Sequence, residues 1–210
     1  MRGLLVVLAV VVVVVVGLGV WAVGINNELV RLEQGVNEKW AQVQNVYQRR
    51  ADLIPNLVNT VKGAANFEQE TLVKIAEARA SVGKVQIDAK NLPNNPGAFA
   101  QFEQAQSGLS SALSRLMVVV ERYPELKANA NFRDLQAQLE GTENRISVER
   151  MRYNEVAQAY NTRRLSFPTV IFANMMGFGD KAYFKSQAGA ERAPTVDFGS
   201  SPAPAPSPAQ

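Results

Sequence analysis

The chain is predicted to be all-α: an N-terminal transmembrane helix followed by an antiparallel four-helix bundle whose first and fourth helices are long. Three observations predict it. From Gly3 to Ile25 there are 23 residues without a charge, seven of them the consecutive valines Val10 to Val16. From Asn26 to Phe167 apolar residues return every third or fourth position, the period of a helix with one buried face. The breaks in that period fall where proline, glycine and asparagine cluster.

At roughly 1.5 Å per residue the uncharged run is long enough for a bilayer core of about 30 Å. Ala22-Val23-Gly24 resembles a cleavage site, but the apolar run exceeds the roughly 7–15 residues of a signal-peptide core, so residues 1–25 are read as an uncleaved anchor. Arg2 precedes it while Arg31 and Lys39 follow, a near balance that leans toward an N-terminus inside and a bundle outside the cytoplasm.

The first soluble helix carries Leu29, Leu32, Val36, Trp40, Val43, Tyr47, Ile54, Leu57 and Val61 on one face. Gly63 to Asn66 interrupts it, and Asn66 with Gln69 makes a capping box for a second helix that frays near Asp88. Asn91 to Gly97 holds two prolines and three asparagines and is read as a loop. A third helix runs through Phe99, Phe102, Leu109, Leu113, Leu116 and Val120 and stops before Tyr123-Pro124. The fourth runs from about Asn131 to Phe167-Pro168. These four, residues 26–167, make the bundle. Residues 168–192 form an aromatic segment next to the membrane, and 193–210, rich in Pro, Ala and Ser, are expected to be disordered.

Pairing the first and fourth helices with Asn26 level with Phe167 sets Arg50 opposite Glu143, Trp40 near Tyr153 and Val43 near Arg150. A polar layer of Arg49, Arg50, Asp52, Asn56, Glu143, Asn144, Arg150 and Asn154 then lies between them, with Pro55 kinking the helix beside it and freeing the carbonyl of Ala51 for an Arg or Asn side chain. Such a layer fixes register more than it stabilises. The other reading has the arginines solvated and Pro55 a tolerated bend. The long pair, about 37 residues each against about 24, projects as a two-helix stalk of residues 26–40 and 153–167 beside the bilayer.

Phe167, Ile171, Phe172, Met175, Met176, Phe178, Tyr183 and Phe184, interleaved with Lys181 and Lys185, follow that stalk. Three uses are open: resting among lipid headgroups, covering the open side of the stalk, or contacting another protomer.

With no His and no Cys, the chain has no Ser-His-Asp or Cys-His catalysis and no His or thiolate metal site. Glycine-rich phosphate loops are missing too. No metal, cofactor or catalytic residue is therefore assigned. A net charge of +3, with basic and acidic residues alternating, gives no nucleic-acid footprint.

The anchor, Arg49-Arg50-x-Asp52-Leu53-Ile54-Pro55-Asn56-Leu57-Val58, Glu77-Ala78-Arg79-Ala80, Glu125-Leu126-Lys127, Leu139-x-Gly141-Thr142-Glu143-Asn144-Arg145-Ile146, Arg152-Tyr153-Asn154, Tyr160-Asn161, Phe167-Pro168 and Gly177-Phe178 with Tyr183-Phe184 together resemble the LemA family of bacterial membrane-anchored helical-bundle proteins. The resemblance covers roughly residues 1 to 185 and omits the Pro/Ala tail. It implies a helical bundle attached to a bacterial inner membrane, and supplies no biochemical activity. A related member takes part in building magnetosome membranes, an analogy for membrane organisation. The expected function is a non-enzymatic single-pass scaffold that meets the membrane through residues 3–25 and self-associates or docks another envelope protein. The alternatives are a ligand-binding or stress-sensing module signalling through the Pro55 kink, and an unrecognised carboxylate hydrolase.

Overall fold

A computed structural model describes residues 2–63, 67–85 and 91–185. Asn66 of the expected capping box, the fraying expected near Asp88 and the tail 193–210 lie outside the described residues. Every regular element among those described is helical: α1 (Arg2–Lys62), α2 (Gln69–Val85), α3 (Pro96–Val120), α4 (Pro124–Ala128), α5 (Ala130–Leu165) and α6 (Thr169–Met176), with a 3-10 turn at Leu92–Asn94.

The 61-residue α1 passes unbroken through Pro55 and extends about 90 Å at 1.5 Å per residue. Its N-terminal part is long and apolar enough to cross a membrane, and the valine run is exposed along its whole length. From Ile25 onward it turns one stripe inward: Leu29, Val36, Trp40, Val43, Tyr47, Ile54, Leu57 and Val61 are all buried. The 36 residues of α5 pack along it. The pair runs antiparallel, since Glu28 meets Arg163 at 2.7 Å, the Trp40 and Tyr153 rings lie 5.5 Å apart, and Arg50 meets Glu143 at 2.9 Å. Helices α2 and α3 pack on each other, with Arg122 pairing to Glu68 at 2.7 Å near one end.

Two helix starts show why the loop read at residues 91–97 is shorter than expected. Asn95 is extended, and its side chain accepts from the Ala98 N–H at 3.1 Å. Pro96 fills the first helical position, where its missing N–H costs nothing and its ring presets φ, so α3 begins inside the Pro/Asn stretch. Asn129 caps α5 in the same way through Phe132 N–H at 3.2 Å. Between them Pro124 opens the one-turn α4, which takes up the short connection.

The core has two halves. The half nearer the valine run is aromatic: Trp40, Tyr47, Phe99, Phe102, Tyr153, Tyr160 and Phe184. The other half is mainly aliphatic, with Ile54, Leu57, Val61, Ile75, Val82, Leu109, Leu116, Phe132 and Leu139 contributed by α1, α2, α3 and α5.

The sequence reading gave residues 168–185 no helix. The chain turns through a cis Phe167-Pro168 bond into α6, which ends at Gly177 with φ 80°. That left-handed value suits glycine, and it lets the Phe178 N–H reach back to Ala173 O at 3.0 Å. Residues 178–185 then run without regular structure back along α5. The stalk expected from residues 26–40 and 153–167 is thus covered: Ala173, Lys181 and Phe184 are buried against it.

Candidate functional site

Two polar constructions stand out, a node at Arg50 and a strap formed by residues 178–185.

Arg50 is 2% exposed and sits between the two halves of the core. Nη1 donates to Ser110 Oγ and to Glu143 Oε2, each at 2.9 Å, and Nη2 donates to Gln106 Oε1. The Tyr47 ring lies 5.2 Å from the guanidinium carbon. A guanidinium can join three helices this way because its donors are held in a fixed planar fork. Its partners Gln106, Ser110 and Glu143 are all on α3 and α5 and not at the carbonyl of Ala51. Arg50 Nε and Gln106 Nε2 are buried without a hydrogen bond. Burial pushes the Tyr47 phenol above its ordinary pKa, the arginine charges at Arg150 and Arg50 opposing it.

The rest of the expected layer divides. Arg49, Asp52, Asn56 and Asn144 face solvent, and Pro55 is half-buried. Gln48 donates to Asp52 at 2.7 Å along the outside of α1. Glu143 itself is 52% exposed, so the Arg50 pair joins a buried cation to a wet carboxylate. Arg150 and Asn154 belong to the strap.

The strap is held by side chains of α5 placed at helical spacing. Tyr160 Oη donates to Gly179 O at 3.1 Å, and Tyr153 Oη, two turns earlier, donates to Ala182 O at 2.9 Å. The asparagine after each tyrosine makes a two-point clamp on one strap residue. Asn161 accepts from Lys181 N–H at 2.9 Å and donates to Lys181 O at 2.8 Å. Asn154 accepts from Phe184 N–H and donates to Phe184 O, both at 2.9 Å. A side-chain amide here replaces the neighbouring strand that an extended backbone otherwise needs.

Arg164 secures the start of the strap through Phe178 O at 2.8 Å and Asp180 at 2.6 Å. Arg150 and Glu103 secure its end: Arg150 donates to Lys185 O at 3.1 Å, Glu103 accepts from Lys185 N–H at 3.1 Å, and the two side chains pair at 3.2 Å. The guanidinium of Arg150 also covers the Phe184 ring at 4.5 Å.

Lys181, read from sequence as one of two lysines flanking an aromatic surface, is instead 3% exposed. Its ammonium donates to Glu33 and to Asn94, both at 2.5 Å, and lies 5.0 Å over the Tyr160 ring. Burial and then the Glu33 carboxylate push Tyr160 up to about 12, and burial raises Tyr153 as well. The aromatic residues divide also. Phe184 is buried, while Phe172 and Phe178 pack against the core. Phe167, Ile171, Met175, Met176 and Tyr183 are exposed.

Beside the Arg50 node, Arg50, Glu103, Glu143, Arg150 and Lys185 border an open cavity of about 240 Å³. Among the described residues no three metal-ligating side chains gather. Buried side chains that tie one helix to another and strap residues 178–185 in place define a class: a helical protein with, among the described residues, one helix able to span a membrane, braced where that helix enters the folded part.

The LemA family model matches residues 39–198, and the chain belongs to the LemA family. It is 26% identical over 164 residues to Protein LemA of Metamycoplasma hominis, covering 78% of this chain and 70% of that one. It is 26% identical over 176 residues to magnetosome protein MamQ 2 of Paramagnetospirillum magneticum and over 173 residues to magnetosome protein MamQ of Magnetospirillum gryphiswaldense. Those alignments cover 77% and 75% of this chain but only 65% and 64% of the relatives' own length.

Proposed function

We propose that the chain is a non-enzymatic single-pass scaffold of a bacterial inner membrane. Its residues 26–167 form an antiparallel four-helix bundle held outside the cytoplasm, which self-associates or docks another envelope protein. The observation that carries this reading is the continuity of α1, one helix from Arg2 to Lys62. No loop intervenes between the span and the folded part, so the folded part is held at a fixed orientation above the bilayer. A tethered enzyme has no need of that, whereas a spacer or assembly platform does. The names of the magnetosome relatives accord with a role at a membrane.

The test is the mass and composition of the full-length chain extracted from its native membrane in mild detergent. A defined homo-oligomer or a stoichiometric partner supports the scaffold, and a monomer at every concentration overturns it. One observation favours the second reading, a ligand-binding module. Two buried donors, Arg50 Nε and Gln106 Nε2, lack partners beside the cavity of about 240 Å³. A small molecule that raises the unfolding temperature of wild type but not of Gln106→Leu would move the assignment there.

A further inference from the structure

We propose that α6 is a second membrane attachment, lying at the boundary between lipid headgroups and acyl chains with Phe167, Ile171 and Met175 in the lipid. The inference rests on the reading above that α1 crosses the bilayer.

The level of α6 along α1 is fixed by one contact. The Phe172 ring meets Trp21 edge to face at 5.1 Å, and Trp21 lies four residues, about 6 Å, inside the end of the uncharged run at Ile25. That run, about 35 Å long, exceeds a hydrocarbon core of about 30 Å only slightly, so Trp21 and the helix it touches fall within a few ångströms of the core's edge. Tryptophan is enriched at that level.

The exposed side of α6 suits the same place. Ile171 is 52% exposed and Met175 78%, and their spacing of four residues on α6 puts them in one row; Phe167, just before the helix, is 82% exposed. The sequence of α6, TVIFANMM, has no charge. The buried side, Thr169 and Ala173, faces the protein. The two arginines just upstream of α6 are already committed, Arg163 to Glu28 and Arg164 to Asp180. Water would leave this apolar row as an uncovered patch, whereas a lipid surface covers it with no partner protein. A helix lying in that plane beside a crossing helix fixes the tilt and rotation of the folded part.

The chain has no cysteine, so single nitroxide labels are clean. The full-length protein is reconstituted in phosphatidylcholine–phosphatidylglycerol vesicles with one label at a time: Met175→Cys, Ile171→Cys, Val12→Cys in the span and Ala128→Cys far from it. Collision rates with oxygen, which partitions into lipid, and with a water-soluble nickel chelate are then measured. For a face about 5–10 Å deep, labels at 175 and 171 should give an oxygen-to-nickel ratio several-fold above that at 128 and below that at 12. A ratio at 175 and 171 equal to that at 128, with 12 still in lipid, overturns this inference and leaves the anchor standing. A watery label at 12 overturns the anchor itself. Shielding of 175 from both reagents also overturns the proposal and points to protein contact, and loss of spin–spin broadening on dilution with unlabelled chain would identify that contact as a second copy.

Discussion

Truncating Arg50 to alanine removes one side chain that three helices share, and the structure allows its cost to be built up partner by partner. Glu143 is 52% exposed and Ser110 half-buried, so both reach water when the guanidinium goes and their share is that of a surface pair, under about 1 kcal/mol. Gln106 is 4% exposed, and its carboxamide oxygen, stranded without the Nη2 donor, costs about 2 kcal/mol. The stem leaves a gap between Tyr47 and α3 worth about 2 kcal/mol at about 0.8 kcal/mol for each lost methylene. The sum is about 4 kcal/mol. Arg50→Met keeps the stem and should recover about half of the loss, while Glu143→Gln keeps an acceptor in water and should cost less than about 1 kcal/mol. Urea denaturation of the full chain in detergent, followed by tryptophan emission and circular dichroism, gives all three values. Two results would refute the reasoning: a loss under about 1 kcal/mol for Arg50→Ala, or a Glu143→Gln cost equal to it, which would make the exposed carboxylate the essential partner.

The strap makes two further predictions. Asn161→Ala deletes three hydrogen bonds, to Lys181 N–H, Lys181 O and Tyr183 Oη, and leaves a buried backbone pair unsatisfied at about 3 kcal/mol; peeling of the strap rehydrates it, so amide exchange should accelerate first at residues 178–185, and an unchanged exchange pattern there would sink the clamp argument. Tyr160 is held protonated up to about 12 in the folded chain, while unfolded tyrosine ionises near 10, so above about pH 10 the unfolded state binds fewer protons and stability falls as pH rises toward about 12. That contribution is fully present below pH 10, and Tyr160→Phe should flatten the fall in denaturation midpoint between about pH 10 and 12, Tyr153 supplying what slope remains; equal slopes in the two proteins would count against it.

The stripe on α1 was legible because each of its buried residues from Leu29 to Val61 obeys one period in a single unbroken helix. The pairing of Arg50 with Glu143 came from one assumption, an antiparallel register with Asn26 level with Phe167. The breadth of the polar layer did not, and the reason is angular. Arg49 and Arg50 are about 100° apart on the helix, as are Glu143 and Asn144, so only one of each pair can face the neighbour. The strap was hidden because its segment has no period of its own. Its hydrogen bonds come mostly from α5 residues 14 to 35 positions upstream, with Glu103 of α3 82 positions upstream, beyond any local window. The repeated Tyr-Asn at 153–154 and 160–161, seven residues apart, was the available signal. Two turns of helix bring both pairs to one face, where each offers a hydroxyl and an amide to a passing backbone.

Two antiparallel helices alone cannot enclose Trp40, which needs Phe99 and Phe102 from α3 and Phe184 from the strap around it. The region closest to the span is therefore closed by residues 178–185. Lys181 ties that segment to α1 through Glu33 and to the 3-10 turn through Asn94, so the strap cannot lift without exposing a buried ammonium and opening the aromatic core. The strap also reaches the Arg50 node: Lys185 is held by Arg150 and Glu103 at the cavity that Arg50 and Glu143 border. A group entering that cavity would meet the Arg150 and Glu103 side chains that hold Lys185. The strap and the Arg50 node thus meet at one cavity, and the Arg50 and Asn161 substitutions should perturb each other's amide exchange although they lie about five turns apart along the α1–α5 pair.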